Sequence, residues 1–171
     1  MRDSRRGASR ASAASLALLA LMLAPLACAA RFDVQGARAY ARVVKQMEAG
    51  PRIPGTPGHD TIREWIAAEA SRLGGRVERQ EVSDTSLGHP LALTNLIAHF
   101  GPSGVCRIAL LAHWDTRPFS DQDPDPVHRA DPVPGANDAA SGVAVLLEVA
   151  ELMHGTPPLV GVDLVDRKSV V

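Results

Sequence analysis

Two short runs carry the groups that could do chemistry. His113-Trp114-Asp115 sets an imidazole two residues ahead of a carboxylate, and Gly135-Ala136-Asn137-Asp138 ends on a second carboxylate. Imidazole nitrogen and carboxylate oxygen are donors that zinc accepts. A carboxylate beside a metal-binding imidazole also fixes its tautomer. His113 and Asp138 are therefore the candidate metal ligands, and Asp115 is the candidate catalytic residue in a supporting position. A simpler account stands beside this one: Asp138 caps a helix, with Ser141 three residues on, and His113 is a satisfied histidine at a strand end. His59, His89, His99, His128 and His154 lack comparable neighbours and read as surface or core histidines. Glu148 and Glu151 fall on the polar face of a helix and are expected to be solvated. Cys106, inside an apolar strand, reads as a small core residue.

The elements that must position these groups alternate between helix and strand. Val34 to Met47 reads as a helix stopped by Gly50, followed by a turn-rich stretch with Pro51, Pro54, Gly55, Pro57 and Gly58. From His59 to Leu73 the residues Ile62, Trp65, Ile66 and Leu73 share one helical face, and Gly74-Gly75 stops it. Arg76 to Val82 alternates like an exposed strand, whereas Leu91 to Phe100 and Val105 to Ala112 read as inner strands. Ala139 to Met153 is a helix with Val143, Leu146, Leu147, Ala150 and Met153 as its apolar stripe, and Gly161 to Val165 begins another strand. Strand, helix, strand in that order implies a crossover and an α/β fold with a sheet that is at least partly parallel. His113 then lies at the carboxyl end of a strand and Asp138 at the start of a helix, and ligands of open α/β sheets bind at that edge. The stretch between them holds five prolines and five aspartates. A loop of that length between a strand and a core helix is read as functional rather than disordered.

Composition bounds the rest. The chain has 171 residues, 46% of them hydrophobic, which is at most one domain and too apolar for a disordered chain. Residues 1–30 carry Arg2, Arg5, Arg6 and Arg10 against Asp3, a charge of +3 out of a total of −1, so the remainder carries −4. No basic stripe survives there, which argues against a nucleic-acid partner. Cys28 and Cys106 form no CxxC pair, which excludes a disulfide scaffold and a thiolate zinc site. The apolar run Leu16 to Leu26 is too short for a stable transmembrane span, which needs roughly 20 residues. Basic residues, a short apolar run and the small residues Ala27-Cys28-Ala29 make residues 1–29 a signal peptide cut after Ala29, with export to the periplasm or medium. The alternative makes Cys28 the lipid-modified first residue of a lipoprotein, although Pro25 sits where that signal prefers leucine. Ser4-Arg5-Arg6 is a weak sign of twin-arginine export.

The run Leu111-Ala112-His113-Trp114-Asp115-Thr116-Arg117-Pro118, the stretch Asp121 to Pro126, and Gly135-Ala136-Asn137-Asp138-Ala139-Ala140-Ser141-Gly142-Val143 resemble the zinc exopeptidase superfamily. Within it the chain is most similar to bacterial glutaminyl cyclases of the animal-like type, a likeness that also takes in Gly50 to His59 and runs from about Val34 to Val165. The resemblance implies an α/β fold with a central mixed, mostly parallel sheet flanked by helices, zinc as cofactor, and peptide or protein N-termini as substrate. It implies Asp138 as a zinc ligand in cyclases and aminopeptidases alike. His113 matches a ligand of the two-zinc aminopeptidases but not a principal ligand of the one-zinc cyclases, and Asp115 matches the supporting aspartate. The Asp- and Pro-rich insert, with Trp114 and Arg117, favours the cyclase branch. Two other functions remain open: a zinc aminopeptidase of the same superfamily, and a non-catalytic ectodomain or binding protein.

The resemblance also implies a general-base glutamate, a further acidic ligand and a later histidine after the strand at Gly161. The chain reads Asp166-Arg167-Lys168-Ser169-Val170-Val171 instead. Those six residues are what a common sequencing-adapter sequence, GATCGGAAGAGCGTCGTG, encodes. Residues 31–165 are thus expected to be the N-terminal part of a catalytic domain, 166–171 a non-native tail, and the chain as written inactive.

Overall fold

A computed structural model describes residues 34–85, 90–104 and 106–167. The expected signal peptide, the lipid-anchor cysteine Cys28, His89 and residues 168–171 lie outside them. The chain divides into Met1–Asp33 and Val34–Val171, and the second unit is the one described.

Helix α1 spans Gly36–Glu48 and α2 spans Pro57–Arg72. Thr56 caps α2 by accepting the His59 amide, and Pro57 fills its first position, where the missing N–H costs nothing. Gly74, at φ +90°, lets the chain leave the helix. Strands β1 (Arg76–Asp84), β2 (Leu91–Phe100) and β3 (Arg107–His113) follow, then helix α3 (Gly142–Gly155) and strand β4 (Gly161–Arg167). The order across the sheet is β1-β2-β4-β3.

The α/β class and the mixed sheet are as the sequence implied, but the balance of strand directions differs. Among the described residues only β3 and β4 run parallel; β1 with β2 and β2 with β4 are antiparallel. The reason is connectivity: α3 supplies a single crossover, and β2 returns beside β1 before β4 docks on its other side. Strand β3, read from its apolar run as an inner strand, lies at one edge of the sheet among the described residues, with Ile108 and Leu111 exposed.

The core is the apolar face expected of α2 (Ile62, Ile66, Leu73) packed on Leu96, Ala98 and Phe100 of β2, Val162 and Leu164 of β4, and Val143, Leu146, Leu147 and Ala150 of α3. Two residues depart from their expected surroundings. Cys106 is exposed, because β3 begins one residue later and at an edge. Glu148 is buried, because α1 lies along α3 and covers it: Arg42 Nη1 donates to its Oε2 at 2.8 Å and Arg38 Nη2 to its Oε1 at 2.6 Å. Arg42 Nη2 also reaches Glu151 at 2.7 Å and Glu69 of α2 at 3.4 Å. Helical periodicity assigns a residue to a face but cannot say that another helix will lie on that face.

Candidate metal centre

Strand β3 ends at His113, and the chain turns at once through the buried residues Trp114, Asp115 and Thr116. Trp114 is held by stacking on the buried ring of His59, with centroids 4.0 Å apart. Burial depresses the His59 pKa, outweighing the opposing effect of Asp60, so the stacked ring is held toward its neutral form. The histidine at the start of α2 is thus a core residue that seats Trp114.

The insert after Thr116 is tied to itself. Ser120 N donates to Asp131 O at 2.8 Å and Val133 N to Arg117 O at 3.2 Å, with a 3₁₀ turn at Pro126–His128 between them. These bonds bring its two ends together, so residues far apart in sequence meet at one edge of the sheet. Gly135 then adopts φ +73°, and a β-carbon there would lie 2.3 Å from Thr116 Cγ2 and 2.6 Å from Arg52 Nη2. Glycine is required on both counts.

A tight turn over Ala136–Ser141 leads into α3, with Asp138 at φ −111° and ψ +94°, outside the helical range, and a cis Asp138–Ala139 peptide. Asp138 lies inside this turn, which Gly135 precedes as its cap, while Ser141 is the cap position of α3. Asp138 Oδ1 lies 2.6 Å from His113 Nε2. The other ring nitrogen of His113, Nδ1, faces Asp115, 3.3 Å from its carbonyl oxygen and 3.5 Å from its Oδ1. The Asp115 side chain is 2% exposed, against 33% for His113 and 73% for Asp138. An orienting carboxylate thus sits behind the imidazole, and the two candidate ligands open to solvent at the carboxyl end of β3.

This donor set fits zinc in kind. One imidazole nitrogen and one carboxylate oxygen converge, and the second imidazole nitrogen is already directed at an aspartate. It does not complete a site: among the described residues no group of three His, Cys, Asp or Glu side chains converges. The structure joins all three residues singled out by sequence, and leaves the other described histidines elsewhere. His99 pairs with Asp163, His128 with Asp131, and His154 with Leu73 O.

Arg52 is the residue that sequence reasoning passed over. It is fully buried and its guanidinium donates to Trp114 O at 3.3 Å, Pro134 O at 2.7 Å and Gly135 O at 2.6 Å. The signal available was only its place in the motif from Gly50 to His59, which names no partner. Gln46 of α1 adds a similar tie, its Nε2 donating to Ala140 O at 3.0 Å.

Residues 95–165 match Peptidase family M28. The chain is 40% identical over 106 residues to the Escherichia coli protein YfbL, a stretch that is 62% of this chain and 30% of that one. A Zn-dependent exopeptidase from Parabacteroides distasonis superposes with a TM-score of 0.75 at 40% identity, covering 78% of this chain and 46% of the other. Tannerella forsythia glutaminyl cyclase gives a TM-score of 0.75 at 36% identity, again with 78% and 46% covered. The chain therefore spans less than half the length of these relatives. It resembles Peptidase family M28 over residues 95–165 and shares the fold of these Zn-dependent exopeptidase and glutaminyl cyclase structures over the part it covers.

Proposed function

We propose that this chain is the N-terminal part of an exported, zinc-dependent glutaminyl-peptide cyclotransferase. The observation that carries the reading is the contact of His113 Nε2 with Asp138 Oδ1 at 2.6 Å in front of the buried Asp115, in a fold shared with a glutaminyl cyclase. Asp138, the most exposed of the three, is the ligand this chain offers to the metal. His113 stands beside it, with its ring held by Asp115. Zinc, when bound, would act as the Lewis acid that polarises the γ-amide carbonyl of an N-terminal glutamine. The substrate's own α-amine is the nucleophile: its bond to the side-chain amide carbonyl carbon, Cδ, forms, the bond from that carbon to the amide nitrogen breaks, and ammonia leaves with the proton the amine gives up. Because the nucleophile is intramolecular, the protein contributes orientation and charge stabilisation rather than an activated water.

A catalytic zinc takes three ligands from the protein, and the described residues offer two. The 171-residue chain by itself is therefore expected not to turn over substrate, and a zinc-dependent cyclisation rate from it would refute this. For the reaction class, the assay belongs on the protein expressed from the whole genomic locus. Ammonia and a pyroglutamyl peptide from a glutamine-initiated substrate are expected.

One observation favours a second reading, a zinc aminopeptidase. His113 stands 2.6 Å from Asp138, and the resemblance matches it to a ligand of the two-zinc enzymes. Release of free amino acids in the same assay, with two zinc ions per chain, would establish it.

The proposal of export rests on the +3 charge and short apolar run of residues 1–30. Among the described residues no helix is long and apolar enough to cross a membrane. Mass spectrometry of the mature N-terminus is expected to find Ala30 first; a lipid-modified Cys28 would replace that cleavage with a membrane anchor.

A further inference from the structure

The two loops that bear the candidate ligands come from opposite ends of the Asp- and Pro-rich insert. One leaves β3 at His113, the other enters α3 through Asp138. Between them lies a side chain from a third segment. Arg52 has 0% exposure, and its three guanidinium nitrogens each meet a backbone carbonyl: Nε reaches Trp114 O in the first loop, and Nη1 and Nη2 reach Pro134 O and Gly135 O in the second. Its own carbonyl accepts the Thr116 amide at 3.1 Å, which closes the link to the first loop from the other side. The Gly135 carbonyl it holds also accepts the Ala140 amide at 3.1 Å, across the turn that presents Asp138.

We propose that Arg52 is a positioning residue that sets the separation of the His113 and Asp138 loops, and through it the metal affinity of the site; this rests on the zinc reading above. A planar fork of donors is what the geometry uses. Lysine carries the same charge on one nitrogen and cannot span three carbonyls on two loops. Gly135 shows how closely the fork is seated, since even a methyl group there would strike Arg52 Nη2. The compensating charge is also in place: Asp115, buried behind His113, opposes the effect of burial on the guanidinium. Arg52 is thereby tied to both loops by hydrogen bonds and to the supporting aspartate by charge, while standing outside the ligand pair itself.

The test is a zinc titration of the protein expressed from the whole genomic locus and of its Arg52→Lys variant, far below the melting temperature of each. Loss of a group that orients metal ligands weakens metal binding by roughly 10- to 100-fold. The expected result is a weakening of that size in Arg52→Lys with an unchanged far-ultraviolet spectrum. A residue with a merely structural role would lower the melting temperature and leave zinc affinity as it was, and that result overturns the proposal. Should Arg52→Lys fail to fold, amide exchange in the wild-type chain decides. Zinc is expected to slow exchange of the Thr116 and Ala140 amides, which close on Arg52 and Gly135; zinc binding that leaves both unchanged overturns the proposal. A wild-type chain that takes up no zinc removes the metal reading and this inference together, a pattern distinct from equal binding by both proteins.

Discussion

Two buried carboxylates in this molecule have opposite surroundings. Glu148, between α1 and α3, receives both guanidinium groups of Arg38 and Arg42 and the Gln35 amide at 2.8 Å. The Arg38 guanidinium, with these partners, holds it below the usual carboxylate range. Asp166, near the end of β4, lies opposite Leu96 of β2 and Ala112 of β3, beside a small apolar cavity lined also by Ile66, Val143 and Leu164. Neither of its oxygens has a hydrogen-bond partner among the described residues, and burial, with Asp115 adding to it, pushes its pKa well up. A buried carboxylate is tolerated where the fold brings guanidinium groups to it and is a burden where it does not. Asp166 is also the first residue that departs from the apolar pattern of its strand, which the alternation of Val162 and Leu164 would continue with another hydrophobic side chain.

The largest effect should come from breaking the satisfied member. Arg42→Met leaves Glu148 buried with Arg38 alone, and a loss of about 3 kcal/mol is expected in urea unfolding, the low end for removing one partner of a buried pair. A loss below about 1 kcal/mol would mean the network is no better than a surface one.

Repairing the unsatisfied member should have the opposite sign. Asp166→Leu is expected to gain about 1–3 kcal/mol, the usual cost of an unpaired buried polar group, with an unchanged denaturant slope. A destabilised variant would show that the carboxyl has a partner after all.

The two acids also predict opposing pH slopes. The folded pKa of Asp166 is raised, so its contribution is fully present below its unfolded value, about 4, and is lost as pH rises through the folded value. That of Glu148 is depressed, so its contribution is present above the unfolded value and is lost as pH falls through the folded one. Asp166→Leu should flatten the decline toward higher pH, and Arg42→Met the acid limb, in unfolding measured from pH 3 to 8. Identical profiles for wild type and variants would break the comparison.

The smallest stability change belongs to the site. His113→Ala and Asp138→Ala remove partly or largely exposed groups and should shift stability by no more than about 0.5 kcal/mol. A larger loss would make the pair a structural one.

What the sequence revealed follows from the range of the interactions concerned. The β2 boundaries and the core faces of α2 and α3 are written in local periodicity, and Leu91–Phe100 was read to the residue. That His113, Asp115 and Asp138 meet at one edge of the sheet was legible because donor types at a strand end and a helix start are themselves local signals. Arg52, Glu148 and the edge position of β3 were not. Arg52 meets Gly135 across 83 positions and Arg42 meets Glu148 across 106, and no pattern along the chain encodes which distant carbonyl or carboxylate a guanidinium will find. The strand direction of β2 against β4 is of the same kind, settled by which strand docks beside which.

The central claim is that His113 and Asp138 form one metal site on the loops that Arg52 joins. Its most direct test is a cobalt(II) titration followed by visible absorption, on the protein expressed from the whole genomic locus and on its His113→Ala and Asp138→Ala variants separately. A saturable band is expected in the wild-type protein, abolished by Asp138→Ala and weakened by His113→Ala, while the far-ultraviolet spectrum stays unchanged. The same band at the same affinity in either variant would contradict it.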